Sequence, residues 1–188
     1  MLGITGPPGA GKSTLAAAVV ADHGPGAVVV PMDGFHLSNV ELERLGLADR
    51  KGAPETFDGA GFVALLARIR EREELVYAPA YSRLLHESIG GVVRVPSNVD
   101  LVVVEGNYLL LSTPPWSGVR PLLDLVVYLD APHGPRIDGL LRRQAERGLD
   151  PGQAHDWVWR SDEANAKVVA ATRERADAVL MRSGRDSP

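Results

Sequence analysis

The chain has 188 residues, 45% of them hydrophobic and 23% charged, with a formal net charge of −4 at pH 7 and no cysteine. This length suits one α/β domain with a full core, and the acidic balance gives no basic face of the kind that nucleic-acid binders carry. Without cysteine, disulfides, thiolate catalysis and cysteine-based zinc sites are excluded, which fits a cytoplasmic protein.

Short apolar runs alternate with helical patterns along the chain, which predicts parallel βαβ units. Leu2–Thr5 reads as a strand, Lys12–Asp22 as an Ala-rich helix closed by His23 and Gly24, and Ala27–Val30 as a second strand stopped by Pro31. Leu37–Leu47 reads as a short helix, and Asp58 caps a helix over Gly59–Arg72. Leu75–Ala80 and Val92–Val95 are expected to pair as a small peripheral hairpin. The continuous apolar runs Leu101–Val104 and Leu125–Leu129 read as buried central strands. His133–Arg147 is helical to Gly148, Asp150 and Pro151 open the next helix, and Ala178–Met181 is the last strand. The polar tail at 183–188 is expected to be disordered. No apolar run is long enough to span a bilayer, and no signal peptide is visible. The expected fold is a three-layer αβα domain over 1–188, with a mainly parallel five-stranded sheet.

Gly6-Pro7-Pro8-Gly9-Ala10-Gly11-Lys12-Ser13 matches G-x-x-x-x-G-K-[ST], after a strand and before a helix, where that motif cradles phosphate. Pro7 and Pro8 cannot donate, so the inward N–H groups are expected from Gly9 to Thr14. The reading assigns Gly6, Gly9, Ala10, Gly11, Lys12, Ser13 and Thr14 to the phosphates of ATP. Lys12 would reach the β- and γ-phosphates, and Ser13 would reach Mg²⁺.

In an open parallel sheet the ligand lies at the carboxyl ends of the strands. Asp33 follows the second strand, where a carboxylate can take or orient the proton of an attacking hydroxyl; a turn-forming Asp-Gly pair is the bland reading. Glu105 ends a buried apolar strand, the placement of a carboxylate that supports Mg²⁺. Asp130 follows another strand and reads better as a helix cap.

Taken together, Gly6–Thr14, Met32-Asp33-Gly34-Phe35-His36, Arg50–Asp58, Tyr77–Arg83 and Glu105-Gly106-Asn107-Tyr108 resemble the P-loop kinases of the uridine kinase, pantothenate kinase and phosphoribulokinase branch. Arg50–Asp58 and Glu105–Leu110 look most like a bacterial subgroup labelled fructose-transport or uridine kinase-like. The resemblance implies an ATP- and Mg²⁺-dependent transfer of phosphate to a hydroxyl of a small metabolite, with Asp33 as base. It implies an acceptor pocket lined by Tyr81, Arg83 and His86 within the segment near 75–97, with His36 beside it. Where pantothenate kinases carry Tyr-x-His, this chain reads Tyr81-Ser82-Arg83; an arginine there suits a phosphate or carboxylate on the acceptor. Relatives are often dimers, which leaves a homodimer open.

Arg136, Arg142, Arg143 and Arg147 fall on one helix within a lid expected near 134–150. A lid arginine stabilises charge in the transition state and excludes water. Arg143, sharing faces with both Arg136 and Arg147, is the candidate; the bland reading is a solvated face paired with Glu146 or Asp138. Trp157 reads as packing under the lid, and Arg160, Asp162 and Asn165 as a structural polar network. A nucleotide-binding switch is the competing reading, but Asn165-Ala166-Lys167-Val168 lacks the N-K-x-D pattern that reads guanine. A nucleic-acid-acting NTPase is disfavoured by the charge balance.

Overall fold

The computed structural model describes residues 1–182; the expectation for 183–188 lies outside the described residues. In chain order the elements are β1 (Leu2–Thr5), α1 (Lys12–His23), β2 (Ala27–Pro31), α2 (Asn39–Leu45) and α3 (Gly59–Arg70). There follow β3 (Leu75–Ser82), β4 (Glu87–Pro96), β5 (Leu101–Glu105), β6 (Leu125–Asp130), α4 (His133–Glu146), α5 (Pro151–Trp157), α6 (Glu163–Ala170) and β7 (Ala178–Met181).

Five strands form one sheet in the order β2-β5-β1-β6-β7, and every neighbouring pair is parallel. The pleat of β5 shows why helices are needed on both faces. Val102 and Val104 join the larger core with Phe62, Leu66 and Ile69 of α3, while Val103 between them packs with Ile4 and Ala16 on the α1 face. Successive side chains point to opposite sides of a strand, so a continuous apolar run has to be covered twice. Each such side chain contributes about 1.5–3 kcal/mol on full burial.

The caps at Asp58 and Asp150 are as the sequence predicts: Asp58 accepts from Gly61 N, and Asp150 with Gln153 forms a capping box. Boundaries differ where side chains outside the helix intervene. α2 begins two residues late, because Ser38 caps it by accepting from Glu41 N. α3 stops at Arg70, and Arg72 turns left-handed at φ 56°. The hairpin is longer than its apolar pattern suggests. β3 and β4 pair from Leu75↔Pro96 to Ser82↔Glu87, with a register shift between Ala78 and Ala80 that takes up Pro79.

The chain from α5 to α6 passes through a π-helical turn at Val158–Asp162 that no sequence periodicity announced. Such turns are rare and gather at functional sites. Asp33 sits in a tight 3₁₀ turn, Met32–Phe35, directly after β2. The hairpin presses on that turn at Gly34, where a Cβ would lie 2.2 Å from the Pro79 carbonyl oxygen; only glycine allows this approach. Among the described residues no helix is long and apolar enough to cross a membrane.

Candidate active site

The loop from Gly6 to Lys12 joins β1 to α1 at the carboxyl end of the sheet. Gly9 has φ +80°, and a Cβ there would meet Leu140 and Arg136 at 2.9–3.1 Å, so the loop is both left-handed and pinned against α4. Arg136 is buried and donates to the Pro8 carbonyl at 3.1 Å while pairing with Glu163. It braces the loop from behind.

Lys12 is buried, and its Nζ donates to Asn107 Oδ1 at 2.6 Å and to the Pro7 carbonyl at 3.1 Å. Burial pulls its pKa down to about 8, against the attraction of Glu105 and Asp33, with Arg143 and Arg136 pulling it further down. The Ser13 hydroxyl donates to Glu105 Oε1 at 3.1 Å. Burial, and then the neighbouring Asp33, push the Glu105 carboxyl up to about 7; Lys12, Ser13 and Arg83 oppose this. An ammonium and a carboxyl, both displaced toward neutrality, mark a site short of its counter-charges.

These groups face one cavity of about 510 Å³. Gly9, Gly11, Lys12, Ser13 and Thr14 line one part of its wall, with Glu105 and Asp33 beside them. His36, Tyr81, Arg83 and His86 line another part, and Arg143 closes a third. Two of the loop residues take other positions. Ala10 is fully buried and its N–H is spent on the Pro7 carbonyl at 3.1 Å, so it is not an inward donor. Gly6 lies against the backbone of β6, 2.2 Å from Leu129 O for a hypothetical Cβ, behind the cavity rather than on it.

His36 is held between Phe57 and Tyr81, with ring centroids at 4.0 and 4.8 Å. Its Nδ1 is 2.8 Å from the Asp33 carbonyl, an acceptor only, so Nδ1 carries the hydrogen. Burial lowers the pKa of the ring, favouring the neutral form and leaving Nε2 an acceptor.

Of the four arginines on α4 and its C-terminal cap, Arg143 and Arg147 reach the cavity, Arg136 braces the loop, and Arg142 is exposed away from it. Asp130 does not cap α4, whose N-cap is Pro132; its carboxylate accepts from Ala131 N and pairs with Arg173 at 3.3 Å. Trp157 lines the cavity, with the Arg147 guanidinium 5.3 Å from its ring centre.

Lys51, Asn107, Gln144, Ser161, Asp162 and Asn165 also line the cavity, and sequence reasoning gave none of them a place there. For Asn107 a signal existed, since it stands two residues past a strand-end carboxylate. Lys51 lies within Arg50–Asp58, a segment of the family resemblance that was given no role at the site; the remaining four lie far from any strand end and carry no motif.

A P-loop backed by a parallel sheet, a strand-end carboxylate bonded to the P-loop serine, and a second carboxylate lining the same cavity make the arrangement of a P-loop kinase. A family model described as "Phosphoribulokinase / Uridine kinase family" matches residues 1–187, and the chain belongs to that family. It is thus an ATP-dependent kinase of a small metabolite.

Among its relatives is a Schizosaccharomyces pombe protein named "Putative uridine kinase", 33% identical over 195 residues, with 96% of this chain and 82% of that one covered. A pantothenate kinase of Mycolicibacterium vanbaalenii is 35% identical over 136 residues, which cover 70% of this chain and 43% of that protein; the match spans less than half of that relative. The crystal structure of a "putative fructose transport system kinase" from Silicibacter sp. superposes with a TM-score of 0.85 at 39% identity, covering 95% of this chain and 88% of that one.

Proposed function

We propose that the chain moves the γ-phosphoryl group of ATP to a hydroxyl of a small polar metabolite, a nucleoside, sugar or pantothenate-like molecule, with Asp33 receiving the hydroxyl proton. The observation that carries this reading is the single cavity shared by the P-loop and by Asp33, His36 and Tyr81. It leaves room for an acceptor beside the phosphates, which a switch protein would not need.

The acceptor oxygen forms a bond to γ-phosphorus, the bond from γ-phosphorus to the bridging oxygen breaks, and ADP leaves. Phosphoryl transfer is loose, so placing and charge neutralisation matter more than the strength of the base. Lys12, anchored by Asn107, holds a positive charge at the loop. Arg143 supplies a second from the lid segment near 134–150. His36 Nε2 accepts from a further hydroxyl, and Tyr81, Arg83 and His86 shape the acceptor pocket.

The residues present fit magnesium. A hydroxyl and a carboxylate 3.1 Å apart are hard oxygen donors, and the raised pKa of Glu105 reports a carboxyl that gains from a nearby cation. Among the described residues no cluster of three His, Cys, Asp or Glu could hold a metal alone, as suits an ion held by one or two protein oxygens plus phosphates and water. Ser13 and Glu105 would hold it, and it would supply neutralisation of the β- and γ-oxygens. The absence of cysteine supports a cytoplasmic setting.

The test is ADP release across a panel of nucleosides, sugars and acids, with wild type and Asp33→Asn side by side. One acceptor class should stimulate turnover, and Asp33→Asn should lower it by at least about 100-fold. ATP binding with no stimulation by any acceptor would count against the reading.

A further inference from the structure

Beyond Lys12, four cationic side chains line the cavity: Lys51, Arg83, Arg143 and Arg147. Among the described residues none of the four forms an ion pair with a carboxylate. Two of them act on the P-loop groups, Arg83 doing so from the acceptor side. Arg143 acts electrostatically on Lys12, and Arg83 acts on Glu105.

Lys51 and Arg147 form a separate pair. Arg147 lowers the pKa of Lys51, adding to the effect of burial, and only Glu87 offsets this. The Glu87 carboxylate is itself spent on Asn39 N, at 3.0 and 3.3 Å. Lys51 Nζ donates to Asn39 Oδ1 at 2.5 Å and to the His86 carbonyl at 2.8 Å, and stands 5.4 Å from the centre of the Tyr81 ring. Arg147 donates to Gln144 Oε1 at 2.7 Å and lies over Trp157. Both cations are thus steered by neutral acceptors and aromatic faces. Arg147 also acts electrostatically on Asp162, which lines the same cavity, but among the described residues no carboxylate is in ion-pair contact with Lys51 or Arg147. Two like charges held toward one cavity without such a contact are unfavourable unless an anion enters between them.

The position relative to the chemistry is set by contact. His36 Nδ1 donates to the Asp33 backbone carbonyl, the His36 ring packs against Tyr81, and Tyr81 lies beneath Lys51. A molecule laid along this wall brings one end to Asp33 and the other to Lys51. We propose that Lys51 and Arg147 bind an anionic oxygen group of the acceptor, so that the substrate is a small hydroxy acid or sugar phosphate rather than a neutral sugar or nucleoside. This rests on the kinase reading above and narrows its acceptor. A carboxylate and a phosphate share the chemistry, two or three oxygens matched to an ammonium and a guanidinium.

The test uses the full chain with Mg²⁺ and ATP and two matched series: D-ribose, D-ribonate and D-ribose 5-phosphate, then D-fructose, D-gluconate and D-fructose 6-phosphate. An anionic member should show kcat/KM at least about 10-fold above its neutral parent. Lys51→Met and Arg147→Met should each remove that preference through KM, while calorimetric ATP affinity stays within about twofold of wild type. If Lys51→Met loosens the hairpin in a thermal melt, Arg147→Met, at the exposed end of α4, carries the test. Whether the acid or the phosphate wins identifies the group.

A neutral member turned over as well as the anions, or a preference that survives both substitutions, overturns the clamp and leaves the kinase standing. Failure of every anionic member both to turn over and to bind the complex with a non-hydrolysable ATP analogue also overturns it. Loss of ATP binding in the wild type would instead remove the kinase reading, and the clamp with it.

Discussion

The Ser13 hydroxyl donates to Glu105 Oε1 at 3.1 Å, tying the first turn of α1 to the last residue of β5. In sequence they are 92 residues apart; in the sheet β5 lies directly beside β1, so the loop after β1 opens over the end of β5. This contact joins the nucleotide loop to the proposed cation site. Glu105→Gln should raise the Mg²⁺ concentration for half-maximal turnover by about 10-fold or more, while the protein still folds. A magnesium titration at fixed ATP measures it, and an unchanged midpoint would remove Glu105 from the site.

Lys12→Ala should cut turnover by at least about 100-fold, with weakened ATP binding, because it removes the only ammonium held inside the loop. Asp33→Asn should produce a loss of similar size in kcat with ATP affinity kept. Steady-state kinetics with calorimetric ATP binding separate the two. Wild-type turnover in Asp33→Asn would show that this carboxylate is not the base.

Proton linkage on nucleotide binding should change sign with pH. Binding of Mg·ATP favours ionised Glu105, whose pKa sits up at about 7, and charged Lys12, whose pKa sits down at about 8. Below pH 7 complex formation should release a proton from Glu105, and above pH 8 it should take one up at Lys12. Calorimetry in buffers of different ionisation enthalpy gives the proton count. Glu105→Gln should abolish release at low pH and leave the uptake; release persisting in that variant would assign the proton elsewhere.

Asp162 is largely buried with its Oδ2 unpartnered among the described residues, and burial pushes its carboxyl up to about 6 from 3.8, against Arg143 and Gln144. The folded state therefore holds the proton more tightly than the unfolded state. Stability falls as pH rises from 3.8 toward 6, and the penalty is fully present above that. Asp162→Asn should raise Tm at pH 8, by roughly 2–4 °C for each kcal/mol recovered, and this gain should vanish near pH 4. Thermal melts across pH decide it; a gain that does not vary with pH would mean another cause.

Arg136→Ala should be the costliest of the helix-α4 substitutions. It strips a partner from both Glu163 and the Pro8 carbonyl inside the fold, a loss of about 3 kcal/mol or more. Chemical denaturation measures it, and Arg142→Ala, at an exposed position, should shift stability far less.

The sheet was legible because each of its five strands is an apolar run closed by a turn or a polar residue, a composition that burial on both faces demands of the inner strands, while the edge strand β7 is exposed. The caps at Asp58 and Asp150 were legible because an N-cap acts within three residues. The full hairpin was not, since Pro79, Gly90 and Gly91 interrupt a pattern that backbone pairing tolerates through a register shift. Nor was the π-helical turn at Val158–Asp162, which sits inside an ordinary helical sequence.

What the amino-acid order determined by itself was the phosphate loop, with Lys12 and Ser13, and the carboxylates Asp33 and Glu105, because each depends on backbone geometry within a few residues of a strand end. The tertiary structure alone decided that Asn107 would anchor Lys12, that Arg136 would brace the loop while Arg143 faced the cavity, and that Lys51 and Arg147 would line one cavity with Tyr81. Those pairings join positions far apart in the chain. No local periodicity encodes them; strand order and the close approach of the hairpin at Gly34 do.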